Sequence, residues 1–349
     1  MNHLKLLSTV FVVVIFTIVS FVSNTNAQGS KTTGYHLLNK IEVGGEGGWD
    51  GLIADPKAHR LYVSHATHVV VIDTATDKVV GDIPGTNGVH CIAFDEKSGK
   101  GWTTNGRDNS VTIFDLKTLK ILGTVPTGKN PDAIVYDPSS KRVFAFNGAS
   151  ANVTVIDAAN SKVAGTIELG GRPEFAALDG KGTVFINIED KSEVVAIDSA
   201  KMTVKSRWPI APGEEPTGIA LDAKTMRLFM VCANKKMIVM DATSGKVITD
   251  LPTGDGTDGA EFDPGTKFAF SSNGEGTLTV VHEDAKDKFT VAENVTTQRG
   301  ARTLAVDTKT HKVYLPTAQF GATPAPTAER PRPRPPIVPN SFVILVYGR

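Results

Sequence analysis

The sequence predicts an all-β protein that closes on itself as a ring, and three observations carry that prediction. A unit of about 42 residues recurs seven times, each copy marked by an aspartate at the end of its first apolar run: Asp55, Asp95, Asp137, Asp179, Asp222, Asp263 and Asp307, at intervals of 40, 42, 42, 43, 41 and 44. Within the copies apolar residues alternate or run in short β-branched stretches, and no window sustains helical spacing. Both extremities of the chain outside its N-terminal apolar run carry strand-like segments without partners in their own unit. Seven units of this length define a seven-bladed β-propeller of four-stranded blades.

Each element of a unit has a local reason. Strand a, as in AIVY, stops at an aspartate that is often followed by proline; the carboxylate accepts from a backbone N–H two residues on, and proline presets the turn. Strand b (RVFAF) runs back, and a loop of Asn, Gly and Ser follows. Strand c (VTVID) is β-branched and ends at a second aspartate in five units: Asp73, Asp115, Asp157, Asp198 and Asp241. Strand d (KVAGTIELG) ends at glycine.

The seventh unit departs from this pattern. It has TLAVD and KVYLPT as strands a and b, then a proline-rich stretch, then SFVILVYG in the place of strand c, and no strand d follows. Near the N-terminus YHLLNKIEVGG matches a strand d. The expectation is a 3+1 closure, with three C-terminal strands and one N-terminal strand sharing the last blade and leaving no open edge. The stretch 318–340, with seven of the nineteen prolines and the run Arg330, Arg332, Arg334, is then an insertion in blade 7 that stays extended rather than folding on its own.

The segment 1–27 has one lysine, Lys5, ahead of an apolar run from Val10 to Val22 and a small-residue site at Ala27, the layout of a cleaved secretory signal. The run is shorter than the roughly 20 residues of a spanning helix. A single propeller domain over 28–349, secreted or periplasmic, monomeric and without a transmembrane segment, is expected. Removing Lys5 from the 37 basic residues leaves 36 against 37 acids, a net charge of −1, which argues against a general attraction to phosphate backbones or anionic lipid. Cys91 and Cys232 lie in apolar strand segments and read as two buried thiols.

The strings LYVSH, VFAFN and LFMVCAN, each followed by a valine- or methionine-containing strand ending in Ile-Asp or Met-Asp, together with the approach GKNPDAIVYDP, resemble the YVTN-type repeats of YncE-like propeller proteins. The resemblance covers essentially all of 28–349. It implies a secreted or periplasmic ring mostly without an established reaction; some members are associated with nucleic acid, and other seven-bladed relatives are lactonases.

In this topology the d-to-a connection and the b-to-c loop open on one face, around the channel mouth. Five residues before each leading aspartate stand Asp50, His90, Asp132, Glu174, Thr217, Asp258 and Arg302; ten residues after it stand His65, Asn105, Asn147, Cys232, Asn273 and Thr317, with the fourth unit one residue short near Ile188 and Glu189. The expected ligand-binding rim is Asp50, His65, His68, His90, Asn105, Asp132, Asn147, Glu174, Asp258, Asn273 and Arg302, since functional residues of a repeat ring gather there. No catalytic residue is assigned, because neither a nucleophile elbow nor a helical zinc motif is present. No cofactor is expected, and the acids of a wide seven-bladed entrance are expected to be solvated and mutually distant; the alternative is a divalent ion, either a metal on Asp50, His65 and His90 or calcium on Asp50, Asp132, Glu174 and Asp258. Binding of an unidentified small molecule or partner protein is the leading reading. The alternatives are a metal-assisted, lactonase-like hydrolase and a nucleic-acid binder, the last disfavoured by the charge balance.

Overall fold

The computed structural model describes residues 1, 32–327, 331 and 333–349. The expected signal segment beyond Met1, and Arg330 and Arg332 of the arginine run, lie outside the described residues. Seven four-stranded antiparallel sheets form the blades of a propeller. Blade 1 runs from Trp49–Asp55 through Lys78–Ile83, and blades 2 to 6 repeat the same order through Lys288–Thr296. The seventh sheet places Ala305–Asp307, Lys312–Thr317, Val343–Gly348 and His36–Glu42 side by side, with His36–Glu42 antiparallel to Val343–Gly348. Among the described residues the one helical segment is a single 3-10 turn, Glu189–Lys191. It forms the b-to-c loop of blade 4; that unit is a residue out of step with the others because its a-to-b turn is shorter, strand b beginning at Thr183, four residues after Asp179, instead of five. No helix of the described residues is long and apolar enough to cross a membrane.

The core lies between blades. Each of the seven apolar clusters found among the described residues joins two neighbouring sheets: Trp102 of blade 2 stacks on Tyr136 of blade 3 at 5.4 Å, and Phe229 of blade 5 on Phe262 of blade 6 at 5.2 Å. Cys91 and Cys232 are free and buried in two of these clusters. The leading aspartates cap the a-to-b turns as their position dictates: Asp55 accepts from Lys57 N at 3.0 Å and Ala58 N at 2.9 Å, and Asp307 from Lys309 N at 2.9 Å and Thr310 N at 3.1 Å.

The insertion is more ordered at its base than its composition implies. Phe320 and Ile337 form a β-bridge, Gly321 N donates to Pro336 O at 2.8 Å, and Val338 N to Gln319 O at 2.9 Å. The Phe320 ring reaches Trp49, which stacks on Phe342 at 5.2 Å. An aromatic anchor therefore ties the proline-rich segment to the first blade, where sequence reading left it without structure.

Candidate functional site

The channel mouth owes its shape to a repeated irregularity. In blades 1 to 6 the first residue of strand a pairs with the end of strand b (Trp49 with His65, Pro131 with Asn147, Thr257 with Asn273), and the register then shifts before pairing resumes. The residues caught in that bulge are Asp50, His90, Asp132, Glu174, Thr217 and Asp258. A bulge re-aims its side chains away from the pleat, here toward the channel. Its freed backbone groups are taken up by hydroxyls. Ser64 Oγ accepts from Asp50 N at 2.9 Å, Thr104 Oγ1 accepts from Cys91 N at 3.0 Å, and Ser272 Oγ accepts from Gly259 N at 3.2 Å. Neighbouring blades hold the carbonyls: Thr303 Oγ1 donates to Asp50 O at 2.7 Å, and Thr104 Oγ1 donates to Asp132 O.

Three of these bulges bring their side chains together. His90 Nδ1 lies 2.5 Å from Asp50 Oδ2 and 3.6 Å from Asp132 Oδ1, with 28%, 25% and 22% of the three side chains exposed. Burial pulls the imidazolium down, but the hydrogen bond to Asp50 and the charges of Asp132, Asp50 and Glu174 outweigh it and raise His90 to about 9. Burial, and then the charge of Asp50, push Asp132 up, against the pull of His90. Glu174 rises to about 8 through burial and the Asp132 charge, although Arg172 Nε stands 3.6 Å from it. Asp258 is raised by burial despite Arg302 at 3.0 Å and the charge of Arg334, which the insertion brings toward the mouth. Four carboxylates thus share one mouth with His90, Arg172, Arg302 and Arg334, and burial is the largest cause of the rise in Asp132, Glu174 and Asp258.

Sequence reading expected these acids to be solvated and mutually distant across a wide entrance. The bulges turn them inward, and Asp50 and Asp132 converge on one imidazole. The expected metal set Asp50, His65 and His90 is corrected as well. His65 is 1% exposed, stacks on Phe342 at 4.4 Å and is lowered to about 4 by burial and the His68 charge. Among the described residues the group whose donor atoms all lie within 4.8 Å of one another is Asp50, His90 and Asp132. His68 faces Asp82 at 3.7 Å in a separate surface depression that also includes Asn87 and Asp108.

The asparagines are also displaced from their expected role. Asn105, Asn147 and Asn273 are at most 1% exposed. Each turns Nδ2 into its own blade: Asn105 to Ser110 at 3.1 Å and Thr112 at 2.8 Å, Asn147 to Asn152 at 2.9 Å and Thr154 at 3.0 Å, Asn273 to Thr277 at 2.9 Å and Thr279 at 3.0 Å. They brace the b-to-c loop and present nothing to the mouth.

Below the mouth a cavity of about 140 Å³ is lined by apolar groups such as Ile53, Val135, Phe175 and Leu304, with one acid, Glu261. Its carboxyl keeps partial access to the lumen while protein surrounds it, and burial alone pushes it up to about 7. Sequence reading missed it. The signal was legible in the repeat, because two residues before each leading aspartate the column reads Ile53, Ala93, Val135, Ala177, Ala220, Glu261 and Ala305. Arg172, which pairs with Glu189, was missed too; the pairing of Pro173 with Ile188 inside blade 4 sets the two side by side.

No family model matches the chain, and no curated protein matches it. Among solved structures it is similar to Kuenenia stuttgartiensis Hydrazine Synthase, with a TM-score of 0.69 and 17% identity over 77% of this chain and 92% of that chain. At that identity the likeness is one of fold: the chain is a seven-bladed β-propeller.

Proposed function

We propose that this chain is an exported propeller of the YncE-like, YVTN-repeat kind that binds a positively charged small molecule, or a basic segment of a partner protein, at its channel mouth. The observation that carries this reading is the convergence of Asp50, Asp132, Glu174 and Asp258, from four blades, on one partly enclosed entrance, where burial and then the charges of Asp50 and Asp132 raise three of them. Low-dielectric walls focus such a field, so an incoming cation gains more there than at an open acidic surface. The apolar wall beneath would accept the aliphatic part of an amine.

The test is calorimetric titration of residues 28–349 with spermidine and with a lysine-rich peptide, at low and at moderate salt. Binding of at least one probe is expected, weakening as salt rises, and falling at least about tenfold in a Glu174→Gln/Asp258→Asn double variant. Absence of binding by both probes, or unchanged affinity in the double variant, would overturn the reading.

A further inference from the structure

We propose that Asp50, His90 and Asp132 form a binding site for one divalent transition ion of the zinc type, with a coordination position left open toward the channel. The assignment rests on the mouth being the binding surface and deepens it by naming an ion and its ligands. Each blade of the first three supplies one donor, and Asp50 Oδ2, His90 Nδ1 and Asp132 Oδ1 lie within 4.8 Å of one another. Zinc bonds of roughly 2.0–2.2 Å to imidazole nitrogen and carboxylate oxygen place tetrahedral donors about 3.4 Å apart. The 3.6 Å between His90 and Asp132 already meets that spacing, and the 2.5 Å between His90 and Asp50 is the separation of a hydrogen bond. Replacing that proton by an ion requires Asp50 to withdraw by less than about 1 Å, within the reach of a side-chain rotation.

Independent features hold the three donors in place. Asp50 is fixed at both its N–H, by Ser64, and its carbonyl, by Thr303, while Thr104 ties Cys91 N to Asp132 O across two blades. Such fixed backbone lowers the ordering cost of binding. Gly106 leaves room for the far edge of the imidazole: a Cβ there would lie 2.7 Å from His90 Nε2 and 2.8 Å from Asn130 Oδ1. With Nε2 directed to that side, Nδ1 is turned to the carboxylates. One neutral imidazole and two carboxylates carry two negative charges, which a divalent ion neutralises. The mixed nitrogen and oxygen set favours zinc-type ions over calcium, which takes six to eight oxygens.

The test uses residues 28–349, stripped with chelator, titrated calorimetrically with zinc chloride and separately with calcium chloride. One zinc ion per ring is expected, with calcium bound at least about 100-fold more weakly. Asp132→Asn and His90→Gln are each expected to weaken zinc at least about tenfold, with circular dichroism confirming that the ring is folded. Cobalt(II) absorption, showing a low-coordinate site in the unmodified protein, provides a second readout. His68→Asn, in the separate depression, is expected to leave zinc affinity unchanged. No stoichiometric zinc uptake, or uptake that both ligand variants retain, overturns the assignment. If zinc fails while spermidine or the peptide binds and the Glu174→Gln/Asp258→Asn variant loses it, the ion assignment falls and the reading of the mouth stands. If zinc binds as described while both organic probes fail, the reverse holds.

Discussion

Asp132 and Asp137 stand five residues apart on one strand and experience opposite fields. Asp137, at the turn, is 1% exposed and accepts from Ser139 N at 3.1 Å, Ser139 Oγ at 2.7 Å and Ser140 N at 3.1 Å. Burial raises its carboxyl, but the hydrogen bonds from Ser199, Ser139 and Ser140 prevail and hold it below the ordinary range. Asp132, at the mouth, meets the charge of Asp50 and is raised. Burial is common to both. The difference lies in what surrounds the carboxylate: convergent donors make it a structural cap, and convergent acids make it a group waiting for a cation. The same division separates the two ends of the ring, with satisfied turn aspartates on one face and crowded acids on the other.

The largest expected effect lies at the capped end. Asp137→Ala removes a charged acceptor from buried donors and should cost about 3 kcal/mol, read as a lowered urea midpoint with unchanged slope. Asp132→Asn should cost less than about 1 kcal/mol, because it relieves like-charge crowding. Equal losses in the two variants would erase the contrast.

Glu261 offers a sharper test, since burial is the whole cause of its shift from the ordinary 4.5 to about 7. The native state holds this proton more tightly than the unfolded chain. The associated stability is therefore complete below pH 4.5 and is lost as pH rises through about 7. Allowing for water in the lumen, Glu261→Gln should gain about 2 kcal/mol over the unmodified protein at pH 8 and almost nothing at pH 4.5. A difference that stays constant across that range would show that the carboxyl is solvated.

A local test concerns the asparagine braces. Asn147→Ala should cost about 1–2 kcal/mol, since Asn152 Oδ1 and Thr154 Oγ1 lose a buried donor, and should leave spermidine and zinc binding unchanged. Loss of binding without loss of stability would return Asn147 to the mouth.

What could be read in advance follows the periodicity of the chain. The repeated Asp at the end of strand a, the alternation in VTVID and the Asn-Gly loops are local facts. They dictate strands, turns and, by sevenfold recurrence, a propeller. Counting back from each aspartate also picks out the residues caught in the strand-a bulges, because the offset is set by strand length. The inward turn of those residues was not legible, since a bulge is a mismatch between two strands that neither displays by itself. For that reason Asp50 and Asp132 looked far apart, His65 looked available although Phe342, nearly 280 residues along the chain, covers it, and Asn105, Asn147 and Asn273 looked exposed.

By itself, then, the sequence determined the number of blades, the turn caps and the repeat positions that fall in the strand-a bulges, all properties of neighbours along the chain. Only the tertiary structure decided which of those residues meet, how their charges add and which are sealed off. Those outcomes depend on distances between blades, and electrostatic coupling and burial are set by distance in space and not along the chain.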